Sequence, residues 1–391
     1  MCGTKRPKIQ CPMQQLKREA VLVEFDDISK VNPEELLRGV SSDPAIARNA
    51  PLTHFQIDPR NGDKVVYSEA RARRPHDTKN DSISGGCVVC EGKTTSIVDM
   101  TPTSEGFTFI NKNLFPVTYP FGNEADSKDP FNGTGQQARG THFLQWPSNL
   151  HDKDLDNMPL EDVFIVLKRL CILERNLLHF AGPDMPLSHV HADGNHYGYI
   201  GVIKNMGRLV GGSLVHGHHQ IVHTNVKPRK VLDDQHFKES ALGGGLGFSQ
   251  HLLGCNPGEY CVKEYQDGVI LLVPYFMKRP LDAMILFRDS RGTLSALGGC
   301  PTRDYLHHLS DKELYSLGEA LRDVMSALKI LMPRMGRELA YNWVIHEGDV
   351  GGMYVEILPW TQEMGGYEQL GMYLCQGHPE STANYYRELI H

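Results

Sequence analysis

The stretch NMGRLVGGSLVHGHHQIVHTN, Asn205 to Asn225, decides how the rest of the chain is read. It sets His216, His218, His219 and His223 within eight residues, directly behind a glycine-rich run. In an extended segment alternate side chains share a face. His216, His218 and Gln220 therefore fall on one side, and Gly217, His219 and Ile221 on the other. An imidazole at 218, flanked by a second imidazole and a neutral amide, suits nucleophilic attack on phosphorus, because neutral imidazole is a good nucleophile near neutral pH. The amide of Gln220 can donate to a phosphoryl oxygen without competing as a base. Upstream, Gly207, Gly211 and Gly212 allow close backbone approach and offer N–H groups to an anion. Asn205 and Ser213 add neutral donors. A histidine-rich metal loop is the other reading, and HGHHQ by itself does not separate the two.

The surrounding chain narrows the choice. It has 391 residues and a net charge of −7, enough for one large domain or two halves. No basic block of the kind that neutralises a phosphate backbone is present, which argues against nucleic acid as a partner. No apolar run approaches the ~18 residues that cross a bilayer. The opening MCGTKRPKIQ has neither the apolar core of a signal peptide nor a glycine at position two. Of nine cysteines only Cys87 and Cys90 form a close pair. A reduced, cytoplasmic protein with one metal-type or redox pair is the expectation.

Periodicity predicts the organisation. Residues 1–50 read as a polar N-terminal extension with a helix around NPEELLRGV. From His54, a turn signal in DPRNG between alternating segments predicts a hairpin that runs into an arginine-rich loop. FTFINKN, THFLQWP, HYGYIGVIKN and HGHHQIVHTN read as strands, residues 122–139 as a loop, and LEDVFIVLKRLCILERNLLHF as a long helix. The order then repeats: strands GVILLVPY and DAMILFRD, helix DKELYSLGEALRDVMSALKILMP, strands AYNWVIHE and MYVEILP. An α+β protein of two similar halves is expected, each an antiparallel sheet with one long helix, over residues 51–235 and 236–391.

Asn205, Gly207, Gly211, Ser213, His216, His218 and Gln220 stand at offsets 0, 2, 6, 8, 11, 13 and 15. This spacing resembles the signature Asn-x-Gly-x-x-x-Gly-x-Ser-x-x-His-Pro-His-x-Gln of the galactose-1-phosphate uridylyltransferase family, a branch of the histidine-triad superfamily. Gly217 replaces the proline. The likeness runs in order from about residue 54 to 225. SEARARRP resembles the family segment whose arginines bind nucleotide phosphates, which implies Arg71 and Arg74. FTFINKN resembles the strand that implies a nucleoside contact from Asn111, and ARGTHFLQWPSNLH a segment that implies His151. GGYEQ resembles the sugar-contacting part and implies Tyr367 and Glu368, but Gln362 and Glu363 replace a lysine and a phenylalanine. A glutamate there is at odds with a sugar phosphate.

The resemblance also implies a histidine-triad-like fold, a homodimer, and a structural zinc held by Cys87, Cys90, His151 and His216. His142, His189, His191 and His196 are rival ligands. The family's second metal is tied to a His-x-His strand, and MYVEILPW has no histidine, so no second metal is expected there. The implied activity is a double displacement. His218 takes a nucleoside monophosphate, UMP being expected, from a nucleotide sugar, and a sugar 1-phosphate receives it. Gln220 steadies the covalent nucleotidyl-histidine, and no magnesium is called for. A phosphorylase acting on an ADP-sugar or a dinucleoside polyphosphate, and a zinc-stabilised nucleotide-binding protein without turnover, are the alternatives.

Overall fold

The computed structural model describes residues 23–74, 87–120, 128–180, 196–288, 303–348 and 351–391. The helix expected over NPEELLRGV forms as α1 (Pro33–Ser41), started by Pro33 and by the Asn32 side chain, which accepts from the Glu34 N–H. The DPRNG hairpin forms as β1 (His54–Ile57) and β2 (Lys64–Val66). The arginine-rich stretch behind it is a short 3-10 turn, Glu69–Arg73, rather than an irregular loop.

The strands β3 (Ile97–Pro102), β4 (Phe107–Lys112), β5 (Gln136–Gln137) and β6 (Gly140–Trp146) follow, β5 pairing back onto β1. Next come α2 (Leu160–Leu178), β7 (Tyr199–Met206) and β8 (His219–Thr224). Two helices unread in the sequence, α3 (Arg229–Glu239) and α4 (Phe248–Cys255), lead into β9 (Cys261–Glu264). The second half continues with β10 (Val269–Leu272), β11 (Ala283–Phe287), α5 (Asp311–Arg334), β12 (Tyr341–His346), β13 (Tyr354–Pro359) and α6 (Pro379–Arg387).

The expected two-fold repetition is present, and it is tighter than the strand order alone required. One ten-stranded antiparallel sheet runs β3-β4-β6-β8-β7-β12-β13-β11-β10-β9. Numbered within its half, each set of five strands has the order 1-2-3-5-4, with the long helix between its third and fourth strands. The halves are joined edge to edge by β7 and β12, where Asn205 faces Asn342. That junction removes two strand edges that would otherwise expose unpaired N–H and C=O groups.

The apolar stripe of α2, including Val163, Val166, Leu167 and Leu170, is wholly buried, as is the matching stripe of α5 at Leu317, Leu321, Val324 and Leu328. Gly318 lets the helices touch, since a Cβ there would come within 3.0 Å of Val163 Cγ1. α5 begins with a capping box in which Ser310 and Glu313 each satisfy the other's backbone N–H. No helix among the described residues is long and apolar enough to cross a membrane.

Candidate active site

His218 emerges where the sheet opens. The last ladder pairs of β8 are His219 with Gln145 on β6 and with Lys204 on β7. Beyond them β6 runs into Pro147, and Asn205 turns to β12. The strand read from sequence as beginning at His216 therefore begins at His219, and His216–His218 form the lead-in. Alternation nevertheless holds. The rings of His216 and His218 both meet Trp146, at 5.4 and 4.8 Å between centroids, whereas His219 turns to the opposite side against Trp343 at 4.9 Å.

The His218 ring has a defined tautomer. Its Nδ1 lies 3.0 Å from the His216 carbonyl oxygen, and a carbonyl only accepts, so Nδ1 carries the proton and donates. Nε2 is left with the lone pair. Burial, chiefly, lowers the pKa of His218 to about 4, with Lys204 acting in the same direction, so the ring is neutral at pH 7.

Gln220 is nearly buried and hydrogen-bonds to His142. His142 Nδ1 accepts from the Val117 N–H at 3.1 Å, which places the ring's proton on Nε2. Burial pushes His142 well below the ordinary histidine value, and the charges of Arg71 and Arg74 add to that. Arg71 is held by the Phe115 carbonyl, 2.6 Å from its Nη1. Burial, then Arg74, lowers Arg71 to about 10, and burial lowers Arg74 too, whose Nε has no hydrogen-bond partner. No carboxylate opposes either guanidinium among the described residues. Two partly desolvated cations side by side without an anion are a site for one.

Several expected contacts are otherwise engaged. Asn111 is buried. Its carbonyl accepts from Trp146 Nε1 at 2.8 Å and its amide donates to Thr95 at 2.9 Å, so it holds the ring against which His218 rests. The N–H groups of Gly211 and Gly212 donate to Arg208 and Gly207 carbonyls and are not offered to an anion. The glycines are required for the turn itself: Gly207 and Gly211 have positive φ, and a Cβ at Gly212 would sit 2.7 Å from the Gly207 carbonyl oxygen. Asn205 accepts from Asn342 at 2.6 Å, and Ser213 is half-buried beside the turn. Glu368 closes its own loop by accepting from Gly365 and Leu374 N–H groups, while Tyr367 is exposed. Glu363 faces solvent, paired with Arg337.

Cys87, Cys90, His151 and His216 converge, their ligand atoms all within 4.8 Å of one another. A tetrahedral ion with bonds of about 2.3 Å to sulfur and about 2.0–2.1 Å to nitrogen sets S···N edges of about 3.6 Å. The observed edges are 3.7 Å for Cys87 to His216, 3.6 Å for Cys90 to His216 and 3.5 Å for Cys90 to His151, each to Nδ1. The far side of His216 is fixed as metal ligands require, Nε2 donating to the Ser148 carbonyl at 2.9 Å. Burial and then Cys87 raise the Cys90 thiol to about 11, a cost that a cation would remove. The four residues fit a metal ion. Of the rivals, His142 belongs to the Gln220 network and His196 to a separate cluster, while His189 and His191 lie outside the described residues.

Sequence reading missed a buried ion pair beneath this strand. Lys204 and Asp154, both nearly inaccessible, meet at 2.6 Å. A Cβ at Gly217 would fall 2.1 Å from Asp154 Oδ2. The departure from the resembled proline thus has a steric cause, and the lead-in is confined. Lys204 stands out in its apolar strand, but its partner lies 50 residues away, and no local pattern joins them.

Fold and site together define an α+β protein with His218 just beyond the end of the β8 ladder. No family model matches the chain. It is 22% identical over 387 residues to the ADP-glucose phosphorylase of Arabidopsis thaliana, covering 90% of this chain and 97% of that one. Among solved structures, a uridylyltransferase superposes with TM-score 0.64 at 20% identity, over 86% of this chain and 98% of the other. The Arabidopsis thaliana ADP-glucose phosphorylase with bound ADP-glucose follows at 0.59 and 19%, over 85% and 98%. The fold implied by the resemblance read from the sequence is borne out: the chain shares the fold of the solved uridylyltransferase and ADP-glucose phosphorylase.

Proposed function

We propose that the protein is a nucleotidyltransferase working through a covalent nucleotidyl-histidine at His218. The observation that carries this reading is the Nδ1 donation from His218 to the His216 carbonyl. It leaves a neutral Nε2 lone pair beyond the end of the ladder, in a region where two half-buried arginines meet no carboxylate among the described residues. In the first step Nε2 bonds to the α-phosphorus of a nucleotide sugar, and the bond from that phosphorus to the bridging oxygen breaks, releasing a sugar 1-phosphate. The doubly substituted ring is cationic, and the His216 carbonyl stabilises it. In the second step an oxygen of the incoming phosphate attacks, the N–P bond breaks, and the lone pair returns to Nε2. Arg71 and Arg74 offset phosphate charge. Gln220, oriented by His142, donates to a phosphoryl oxygen. Cys87, Cys90, His151 and His216 would hold a structural zinc, whose contribution is to pin the residue two before the nucleophile.

UMP transfer between a UDP-sugar and a sugar 1-phosphate is the reading taken from the site signature. Phosphorolysis of an ADP-sugar is the second, favoured by full-length likeness to an ADP-glucose phosphorylase. Intact-mass spectrometry after incubation with UDP-glucose, UDP-galactose and ADP-glucose in parallel separates them. An adduct of UMP or AMP, absent in His218→Asn and discharged by a sugar 1-phosphate or by inorganic phosphate, is expected. Turnover should fall on the order of 10⁴-fold or more in that variant. Binding without any adduct, unchanged in His218→Asn, would leave only a nucleotide-binding role.

A further inference from the structure

Three more imidazoles meet far from His218. His179 caps the end of α2, His196 precedes β7, and His307 lies in the 3-10 turn Leu306–His308 ahead of α5. His196 Nε2 is 3.2 Å from His179 Nε2 and 3.3 Å from His307 Nε2. A ring nitrogen has a single in-plane direction, occupied by either a proton or a lone pair, so one hydrogen bond does not serve both contacts. A cation among three lone pairs does. Bonds of about 2.0–2.1 Å at tetrahedral angles set N···N edges near 3.3 Å, which the two separations match.

The orientation of His307 is a second, independent observation. Its Nδ1 lies 2.6 Å from Glu174 Oε2, so Nδ1 donates and Nε2 faces the cluster with its lone pair. Glu174 is fully buried on α2, and it also accepts from the N–H groups of Leu306 and His307. A carboxylate behind a histidine is the arrangement that fixes a metal-ligating ring. Glu347, at the end of β12, hydrogen-bonds to Glu174 and accepts from the same Leu306 N–H.

We propose that His179, His196 and His307 form a second metal site, taking a divalent transition ion of the zinc type, with Glu174 as the positioning residue for His307. His179 and His196 belong to the first half of the chain and His307 to the second, so the ion ties the halves together. It lies on the order of 25 Å along β7 from the Lys204 end where His218 sits, and it is independent of the transfer chemistry. It is also separate from β13, where Tyr354 bonds to Asp234 and Glu356 to His346.

The test uses the full chain, stripped of metal, reloaded with Zn²⁺ and freed of loose ion by gel filtration. Elemental analysis should count two equivalents per chain in the wild type. His179→Ala, an exposed position whose truncation spares the core, should keep one and lose the rise in thermal midpoint that accompanies the other. Cys90→Ser should keep one, and that one should be the ion His179→Ala removes. Glu174→Gln should weaken the His-only equivalent about 10- to 100-fold. Two equivalents retained by His179→Ala, or a single wild-type equivalent abolished by Cys90→Ser, would overturn the proposal. A single equivalent abolished by His179→Ala would uphold it and count against zinc at the cysteine pair instead.

Discussion

An added Cβ at Gly217 would land on the Asp154 carboxylate, and that carboxylate cannot retreat, because Lys204 holds it from below. Burial raises the Asp154 pKa and Lys204 more than reverses it, so the carboxyl is held ionised where water is excluded. Gly217→Pro should therefore destabilise the protein by roughly 1–3 kcal/mol, read as a lower urea midpoint at unchanged m-value. It should also lower the rate of adduct formation at His218, since the clash sits next to the nucleophile. A proline tolerated with no loss in either measurement would mean that the lead-in has more freedom than these contacts imply.

Among the elements, the α2–α5 pair depends on the missing side chain at Gly318. Its virtual Cβ meets Val163 Cγ1 at 3.0 Å and Leu167 Cδ1 at 3.4 Å. Gly318→Ala gains about 1 kcal/mol of helix propensity against a contact that a small shift relieves, so its thermal midpoint should stay near wild type. Gly318→Leu has no room and should cost about 1–3 kcal/mol or more. Equal stability of the two variants would show that the helices separate easily. The elements themselves were readable because α2 and α5 keep apolar residues at three- and four-residue spacing, and because the strands alternate or are wholly apolar. The start of β8 was not, since whether His216–His218 join a ladder depends on where β6 and β7 stop.

At the scale of the whole molecule, burial sets the protonation of groups far apart on the sheet. His142 and His219 are pushed below the ordinary histidine value, chiefly by burial. Asp282, beside Arg279 in the second half, is pushed up to about 7 by burial, which outweighs the arginine. The sign for Asp282 follows: its folded pKa exceeds the unfolded 3.8, so the folded state binds the extra proton between those values. Its contribution to stability is present below pH 4 and is lost as pH rises towards 7. Asp282→Asn removes that loss. The stability of the variant relative to wild type should increase by roughly 3–4 kcal/mol between pH 4 and 7 and level off above. Urea unfolding across that range checks it, and a flat difference would mean that Asp282 ionises normally in the folded protein.

The sequence by itself determined the periodic elements, the repetition of the two halves, and the alternation that separates His216, His218 and Gln220 from His219, because each depends on spacing within one segment. It also singled out Cys87, Cys90, His151 and His216, through an ordered likeness along the chain, before any distance between them was known. Only the tertiary structure decided that β7 and β12 fuse two sheets into one, that Asn111 supports Trp146, and that Asp154 and Lys204 exclude a side chain at 217. It alone brought His179, His196 and His307 to one point. Those outcomes depend on which segments, remote in sequence, compete for the same buried volume and the same hydrogen bonds, and no local pattern carries that information.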